Sequence, residues 1–312
     1  MGRSLTSSPV DSDYPLLNTP KLFQAWETVH GVLPWEGAFA KENDTYEALG
    51  NDPTSGDPDR IVRAAFYEGY PNITAQAQRA AEFMVQQVRR YPGEVAIFAA
   101  GAMTNVALAV RMDSDFAKNA KSLTIMGGYI DVNLLQTTGS TLQADLNSDI
   151  NLMIDPEAAK IALTAGMYFC FRLGNAANQV MSTQGISKKL CRWGEVVTRA
   201  EFLDEIHEIR NPYTELMYDY YGTEFPFWDE TAAAVMIAGS GIVKNSTSFY
   251  IDVDTTYSSP SYGNIHAYQE ALRPAAQDLR TVEYVLEVDG DLLRQMIKKA
   301  VQEPPTCAQW DR

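Results

Sequence analysis

The sequence predicts an α/β fold, an open and mostly parallel sheet flanked by helices. Three observations point to it. Hydrophobic spacing switches between helical and strand periods through the middle of the chain, glycines follow the short apolar runs, and a capped helix start stands at Asp155-Pro156-Glu157. Strand-helix-strand order of this kind builds parallel sheets, because a crossover long enough to hold a helix returns the chain in the same direction.

Taken in order, residues 74–90 place Ala77, Ala80, Ala81, Met84, Val85 and Val88 at helical spacing, and Pro92-Gly93 ends the run. Residues 95–99 read as a buried strand. Gly101 then turns the chain into a helix through about Met112, and 122–126 forms the next strand before Gly127-Gly128. After an insertion at 129–147, Asp155 is a good N-cap, Pro156 suits the first helical position and Glu157 favours the positive end of the helix dipole. That helix is expected over 156–165, followed by a strand at 167–171. Residues 196–221 read as helical and end in Tyr213, Tyr218, Tyr220 and Tyr221, side chains suited to walling a base pocket by stacking or, more commonly, to packing. A helix at 230–238 with Asp229 as its N-cap, strands at 249–254 and 282–288, a turn at Asp289-Gly290 and a last helix at 292–301 complete the reading.

Of the 312 residues, 46% are hydrophobic and 21% charged, enough apolar material for one large core. The expected organisation is a flexible tail over 1–15 and a single domain over 16–312. A net charge of −15 argues against a nucleic-acid or anionic-membrane partner. Cys170, Cys191 and Cys307 are widely spaced and match no zinc or disulfide pattern, so they read as buried or free thiols. The first residues lack the apolar core of a signal peptide, and no window reaches the roughly 18 apolar residues of a membrane span. A cytoplasmic location is expected. Secretion stays open, since the sequons at Asn43, Asn72 and Asn245 are about as many as chance supplies.

The candidate site is the run Ser148-Asp149-Ile150-Asn151-Leu152-Met153-Ile154-Asp155. Asp149 and Asn151 are two apart, so in an extended segment they face the same side. A carboxylate and an amide presented together can hold a polyhydroxylated ligand such as a sugar; an ordinary loop before a capped helix is the competing account. In parallel sheets ligands bind beyond the carboxyl ends of the strands, where Ala100 to Asn105, Gly127-Gly128-Tyr129 and Asp149 to Asn151 all fall. Gly127-Gly128 taken alone is equally a tight turn.

These blocks resemble the nucleoside hydrolases, the inosine-uridine-preferring N-ribohydrolases. The family pattern is acid-x-Asn-x-x-x-Asp-Pro-Glu-Ala, usually with Glu at the acid. This chain has Asp149 there and matches through Asn151, Asp155, Pro156, Glu157 and Ala158, with Ala100-Gly101-Ala102-Met103-Thr104-Asn105 and Ile125-Met126-Gly127-Gly128 upstream in the right order. The resemblance implies cleavage of the N-glycosidic bond of nucleosides by water held on a calcium ion. It implies that Thr104 supplies a carbonyl ligand and Asp229 a carboxylate ligand to the metal, and that Asp149 and Asn151 hydrogen-bond the ribose. The expected partner is a nucleoside or another ribose-containing small molecule, and a homo-oligomer is expected.

The chain departs from the family at two places. The family opens with a strand followed by Asp-x-Asp-x-Gly-x-Asp-Asp, which carries the catalytic base and most calcium carboxylates, and no such motif occurs in these 312 residues. The catalytic base is therefore unassigned, and calcium binding is expected to be weak or absent, because calcium prefers about six to eight oxygen ligands. Asp11 and Asp13 are the only acidic pair near the start and lack a preceding apolar strand to fix them. Trp228 stands where many relatives carry a His thought to protonate a purine leaving group, and indole cannot act as a general acid. His30, His207 and His266 lie elsewhere. Three readings follow: a nucleoside hydrolase whose sequence here lacks its first segment, a family member that binds a nucleoside-like ligand without hydrolysing it, and a structural pseudoenzyme.

Overall fold

Short apolar runs that end in loops supply the first strands of a six-stranded sheet among the described residues, and the helices between them carry buried alanines that let helix and helix approach closely. The computed structural model of the chain describes residues 9–10, 15–31, 76–128, 130, 149–167, 170–172, 199–220 and 227–304. The chain divides into two compact units. One comprises Leu5–Arg172 with Thr247–Tyr284, the other Met1–Ser4, Leu173–Ser246 and Val285–Arg312.

The first unit opens with β1 (Pro9–Val10), α1 (Pro20–His30) and β2 (Gln76–Arg79), continues through α2 (Ala80–Arg90), β3 (Ala96–Ala99), α3 (Thr104–Met112), α4 (Phe116–Asn119) and β4 (Ser122–Ile125), and reaches α5 (Ile150–Met153), α6 (Pro156–Thr164) and β5 (Cys170–Arg172). The second contains α7 (Arg199–His207), α8 (Pro212–Tyr220), α9 (Trp228–Ala238) and, later, α10 (Gly290–Gln302). Between α9 and α10 lie β6 (Val243–Val253), β7 (Ile265–Tyr268) and β8 (Arg280–Val288). The sheet order is β3-β4-β5-β8-β6-β7. The pairs β3–β4, β4–β5 and β5–β8 are parallel and β6–β7 is antiparallel, so the expected α/β class with a mostly parallel sheet is present.

Several boundaries differ from the sequence reading for identifiable reasons. The helix expected over 74–90 begins at Ala80, because Gln76–Arg79 pairs with Pro9–Val10 as a two-stranded parallel sheet. Pro9 and Val10, expected within the tail, thus have a backbone partner. β3 is an edge strand among the described residues: Ile97 and Ala99 are buried while Ala96 and Phe98 face outward, so it is half-buried where full burial was expected. Helix α3 packs on α2 and α6, with Val106, Ala107, Ala109, Ala158, Ala159 and Ala162 in the contact layers.

In the second unit the single helix expected over 196–221 is two. Asn211 breaks it: its Oδ1 accepts from Tyr213 N at 2.8 Å and Thr214 N at 3.1 Å, while Thr214 Oγ1 accepts from Asn211 N at 2.9 Å. Pro212 follows at the first helical position, the normal N-terminal order. Asn211 Nδ2 also donates to Val301 O of α10 at 2.8 Å. Helix α9 starts at Trp228 with Phe227 as its N-cap, so Asp229 sits inside the first turn and does not cap. Asp289 and Gly290, expected as a turn, are the N-cap and first residue of α10; Asp289 Oδ1 accepts from Asp291 N at 3.1 Å and Leu292 N at 3.0 Å.

Asn211→Ala removes a cap and an interhelical hydrogen bond together, so a stability loss near the upper end of the ~0.5–2 kcal/mol range for caps is expected in urea melts. The hydrogen bond from Leu292 N and the Lys244 ammonium hold the Asp289 carboxyl below the usual carboxylate range. A lowered folded pKa contributes stability above the unfolded value, about 3.9, that is lost as pH falls through the folded one. Asp289→Ala should therefore lower the Tm at pH 7, with the gap to wild type narrowing in acid.

Candidate functional site

The site is built where β3 and β4 end. Ala99 and Ile125 are register partners, and Met126 N donates to Ala99 O at 2.9 Å, so Ala100 and Met126 leave the sheet side by side. Gly127 and Gly128 follow with φ of 142° and 80°, values that only glycine adopts readily. A Cβ on Gly127 would lie 3.0 Å from Asp149 Oδ1 and 3.1 Å from Leu152 Cδ1, so the turn into α5 rests directly on the glycine backbone. The Gly128 carbonyl accepts from the Tyr284 hydroxyl of β8.

Asn151 joins the two exits. Its Nδ2 donates to Ala100 O at 3.1 Å and Met126 O at 3.0 Å and also lies 3.1 Å from Met126 Sδ. An amide nitrogen has two hydrogens, and both main-chain carbonyls lie within their reach. Asn151 can then offer a ligand only its Oδ1, as an acceptor. Asp149 is buried, and its Oδ1 accepts from Asn151 N at 3.0 Å while Met153 N reaches its carbonyl at 2.9 Å. The segment is therefore not extended, as the period-two argument assumed. Asp149 starts a helical turn in the usual manner of an Asp side chain bonding the amide two residues on. The two side chains still meet at one place, since the Gly127 Cβ position lies 3.0 Å from Asp149 Oδ1 and 3.5 Å from Asn151 Cβ.

Below them lies a second junction. Asp155 has no exposed surface; its Oδ2 accepts from Thr104 Oγ1 at 2.6 Å and Leu16 N at 2.9 Å, and its Oδ1 from Ala158 N at 3.1 Å. Burial pushes this carboxyl above its ordinary value, against the pull of those three donors. Glu157 is likewise raised by desolvation, opposed by the hydrogen bond it accepts from Tyr262 OH at 2.8 Å. Sequence reading took Asp155 only as a cap. Its partners 51 and 139 residues away leave no local signal.

Thr104 is the first residue of α3, so its carbonyl points along the helix axis into the hydrogen-bond ladder. Asp229, in the other unit, keeps an exposed surface, yet partial desolvation raises its carboxyl. Among the described residues no group of three or more His, Cys, Asp and Glu could hold a metal. Asp11, Asp13, Tyr129, Tyr221 and the Tyr220 side chain lie outside the described residues. Tyr218 stacks on His207 with ring centroids 4.2 Å apart, and Tyr213 is exposed. His30 packs against Trp26 and His266 against Tyr268.

Residues 11–295 match the family described as inosine-uridine preferring nucleoside hydrolase. An uncharacterized protein of Schizosaccharomyces pombe is 35% identical over 264 residues, 83% of this chain and 61% of that protein. A probable uridine nucleosidase of Arabidopsis thaliana is 27% identical over 71% of this chain and 65% of its own length. The chain thus spans a little over three fifths of these two relatives. Among solved structures, a plant nucleoside hydrolase superposes with a TM-score of 0.58 at 20% identity, covering 75% of this chain and 71% of that one. A purine-preferring ribonucleoside hydrolase from Gardnerella vaginalis also gives 0.58, at 14% identity, over 86% and 78%.

Asn151→Asp turns a donor facing two carbonyls into an acceptor. The expected loss is at least the ~1–3 kcal/mol of an unsatisfied buried group, and it should grow as pH rises and the new carboxyl ionises. Denaturant melts at pH 4 and pH 8 read both parts.

Proposed function

This chain belongs to the inosine-uridine preferring nucleoside hydrolase family, and on that premise we propose that it hydrolyses the N-glycosidic bond of ribonucleosides, uridine foremost, to ribose and free base. The observation that carries the reading is the convergence of three separate sequence blocks, 100–104, 126–128 and 149–155, at the carboxyl ends of β3 and β4. That is where a parallel sheet presents ligand sites.

In this reading Asp149 and Asn151 Oδ1 are acceptors for neighbouring ribose hydroxyls, and the staple through Asn151 Nδ2 holds the acceptor still. Water adds to the anomeric carbon as the C–N bond breaks and the bonding pair leaves with the base; the proton given up by the added water passes through solvent to the departing base, and the Asp149 carboxylate stabilises the positive charge developing on the sugar. No step is assigned to a metal. No described residue is assigned as the base that takes the water's proton. The uridine nucleosidase relative supports uracil as the leaving group. The reading of a binding protein without hydrolysis draws on one observation, the lack of an Asp-x-Asp-x-Gly-x-Asp-Asp motif in the 312 residues.

Ribose release from uridine and inosine tests the proposal. Missing general-base help typically removes about 10²–10⁴-fold, so turnover well below that of a family member bearing the motif is expected. Uridine should exceed inosine, and Asp149→Ala should lower the rate further. Calorimetry with uridine separates the readings: binding without ribose release supports the non-hydrolytic one, and neither binding nor release refutes both.

A further inference from the structure

We propose that Asp155 is a positioning residue for the nucleoside site, clamping Thr104 and the main chain at Leu16 so that the exit loop of β3 is held in register with the Asp149–Asn151 turn. The proposal rests on the nucleosidase reading for its activity measurements alone.

Capping α6 needs one acceptor, and Asp155 Oδ1 meets that need through Ala158 N at 3.1 Å. The second oxygen is not required by the helix. In an ordinary N-cap it would face water. Here the residue has no exposed surface, and Oδ2 takes the Thr104 hydroxyl at 2.6 Å and the Leu16 amide at 2.9 Å.

The geometry of the two clamps is what gives Asp155 its reach. Asn151 grips Ala100 and Asp155 grips Thr104, both across a separation of 51 residues. The stretch 100–104 is therefore tied at its two ends to points four residues apart on the opposite segment. One clamp alone would leave that stretch free to pivot about the other. With both, the loop leaving β3 and the turn carrying Asp149 can shift only together, and the Leu16 amide braces the joint from a third segment. Asp155 itself offers the ligand nothing, since both its oxygens are occupied. Its effect on the sugar is transmitted through Thr104 and the 100–104 main chain.

The test uses variants that leave the Ala158 cap in place. Thr104→Val deletes the hydroxyl at nearly constant volume, Thr104→Ser keeps it, and Leu16→Pro removes the amide hydrogen. Leu16→Ala, which keeps that amide, measures the loss of the side chain alone and should fall short of Leu16→Pro. Uridine affinity by calorimetry, KM and kcat for ribose release, and amide hydrogen exchange over 100–105 and 150–153 are measured for each. A softened joint misplaces the ribose acceptors in the bound state and the transition state alike, a loss of uniform binding, so Kd and KM are expected to rise on the order of tenfold in Thr104→Val and Leu16→Pro. Exchange in both stretches should quicken, kcat should change less than KM, and Thr104→Ser should restore affinity.

Asp155 is an ordinary cap if Thr104→Val and Leu16→Pro lower the Tm while affinity and exchange stay at wild-type values. If Thr104→Val does not fold, Leu16→Pro decides the matter. If the wild-type chain neither binds uridine nor releases ribose, the nucleosidase reading falls and hydrogen exchange alone judges the clamp: unchanged exchange in the variants rejects it, faster exchange in both stretches upholds it.

Discussion

A primary amide carries two hydrogens on one nitrogen, and at Asn151 two main-chain carbonyls from different strand exits compete for nothing else within that geometry. The arrangement at Ala100 and Met126 can be satisfied by one orientation of one side chain type. A carboxylate would repel both carbonyls and an aliphatic side chain would leave them unpaired in a part-buried place. Asp149 and the Gly127 turn lie directly beside that staple, while the start of α3 is held separately, through Thr104 and Asp155. Even the tight approach of α5 to the Gly127 backbone is tolerable only because no side chain intervenes. The residue that the family pattern offers as a sugar contact is thus first a structural donor, and its acceptor oxygen is what remains for chemistry.

Much of the fold was legible because it is written locally. The apolar runs at 96–99 and 122–125 and the Asp-Pro-Glu start of α6 are each specified within a handful of residues, and they appear within a residue or two of their expected bounds. The misread places share a different character. β2 exists through pairing with a segment far upstream, which no local period reveals. The break at Asn211-Pro212 did carry a local signal, an N-cap residue before proline, but helical spacing on both sides concealed it. At Asp229 a polar side chain near a helix start resembles a cap, while the backbone begins the helix two residues earlier than expected, at Trp228 behind a buried phenylalanine.

The site divides along the same line. The order of the motif blocks placed Thr104, Asp149 and Asn151 in one neighbourhood. It could not say which atoms of those residues would be used up in holding the neighbourhood together. The short helix at Ile150–Met153 replaced an extended segment because an aspartate that can bond the amide two residues on closes a turn readily. Long-range hydrogen bonds such as Thr104 to Asp155 have no imprint in spacing or hydropathy, because the fold alone brings their partners together.

The Tyr284 hydroxyl bound to the Gly128 carbonyl bears on the order in which the molecule is made. The two residues are 156 positions apart, and Leu16 and Asp155 are 139 apart. As the chain leaves the ribosome, β3, α3 and β4 can associate early, since their contacts close short loops at small entropic expense. The floor of the site cannot be finished then. Leu16 must wait for Asp155, and Gly128 must wait for a strand near the end of the first unit's sequence. Completion of this junction is therefore tied to distant closures, and an unfinished nascent form would hold a sheet edge whose exit loops are not yet braced.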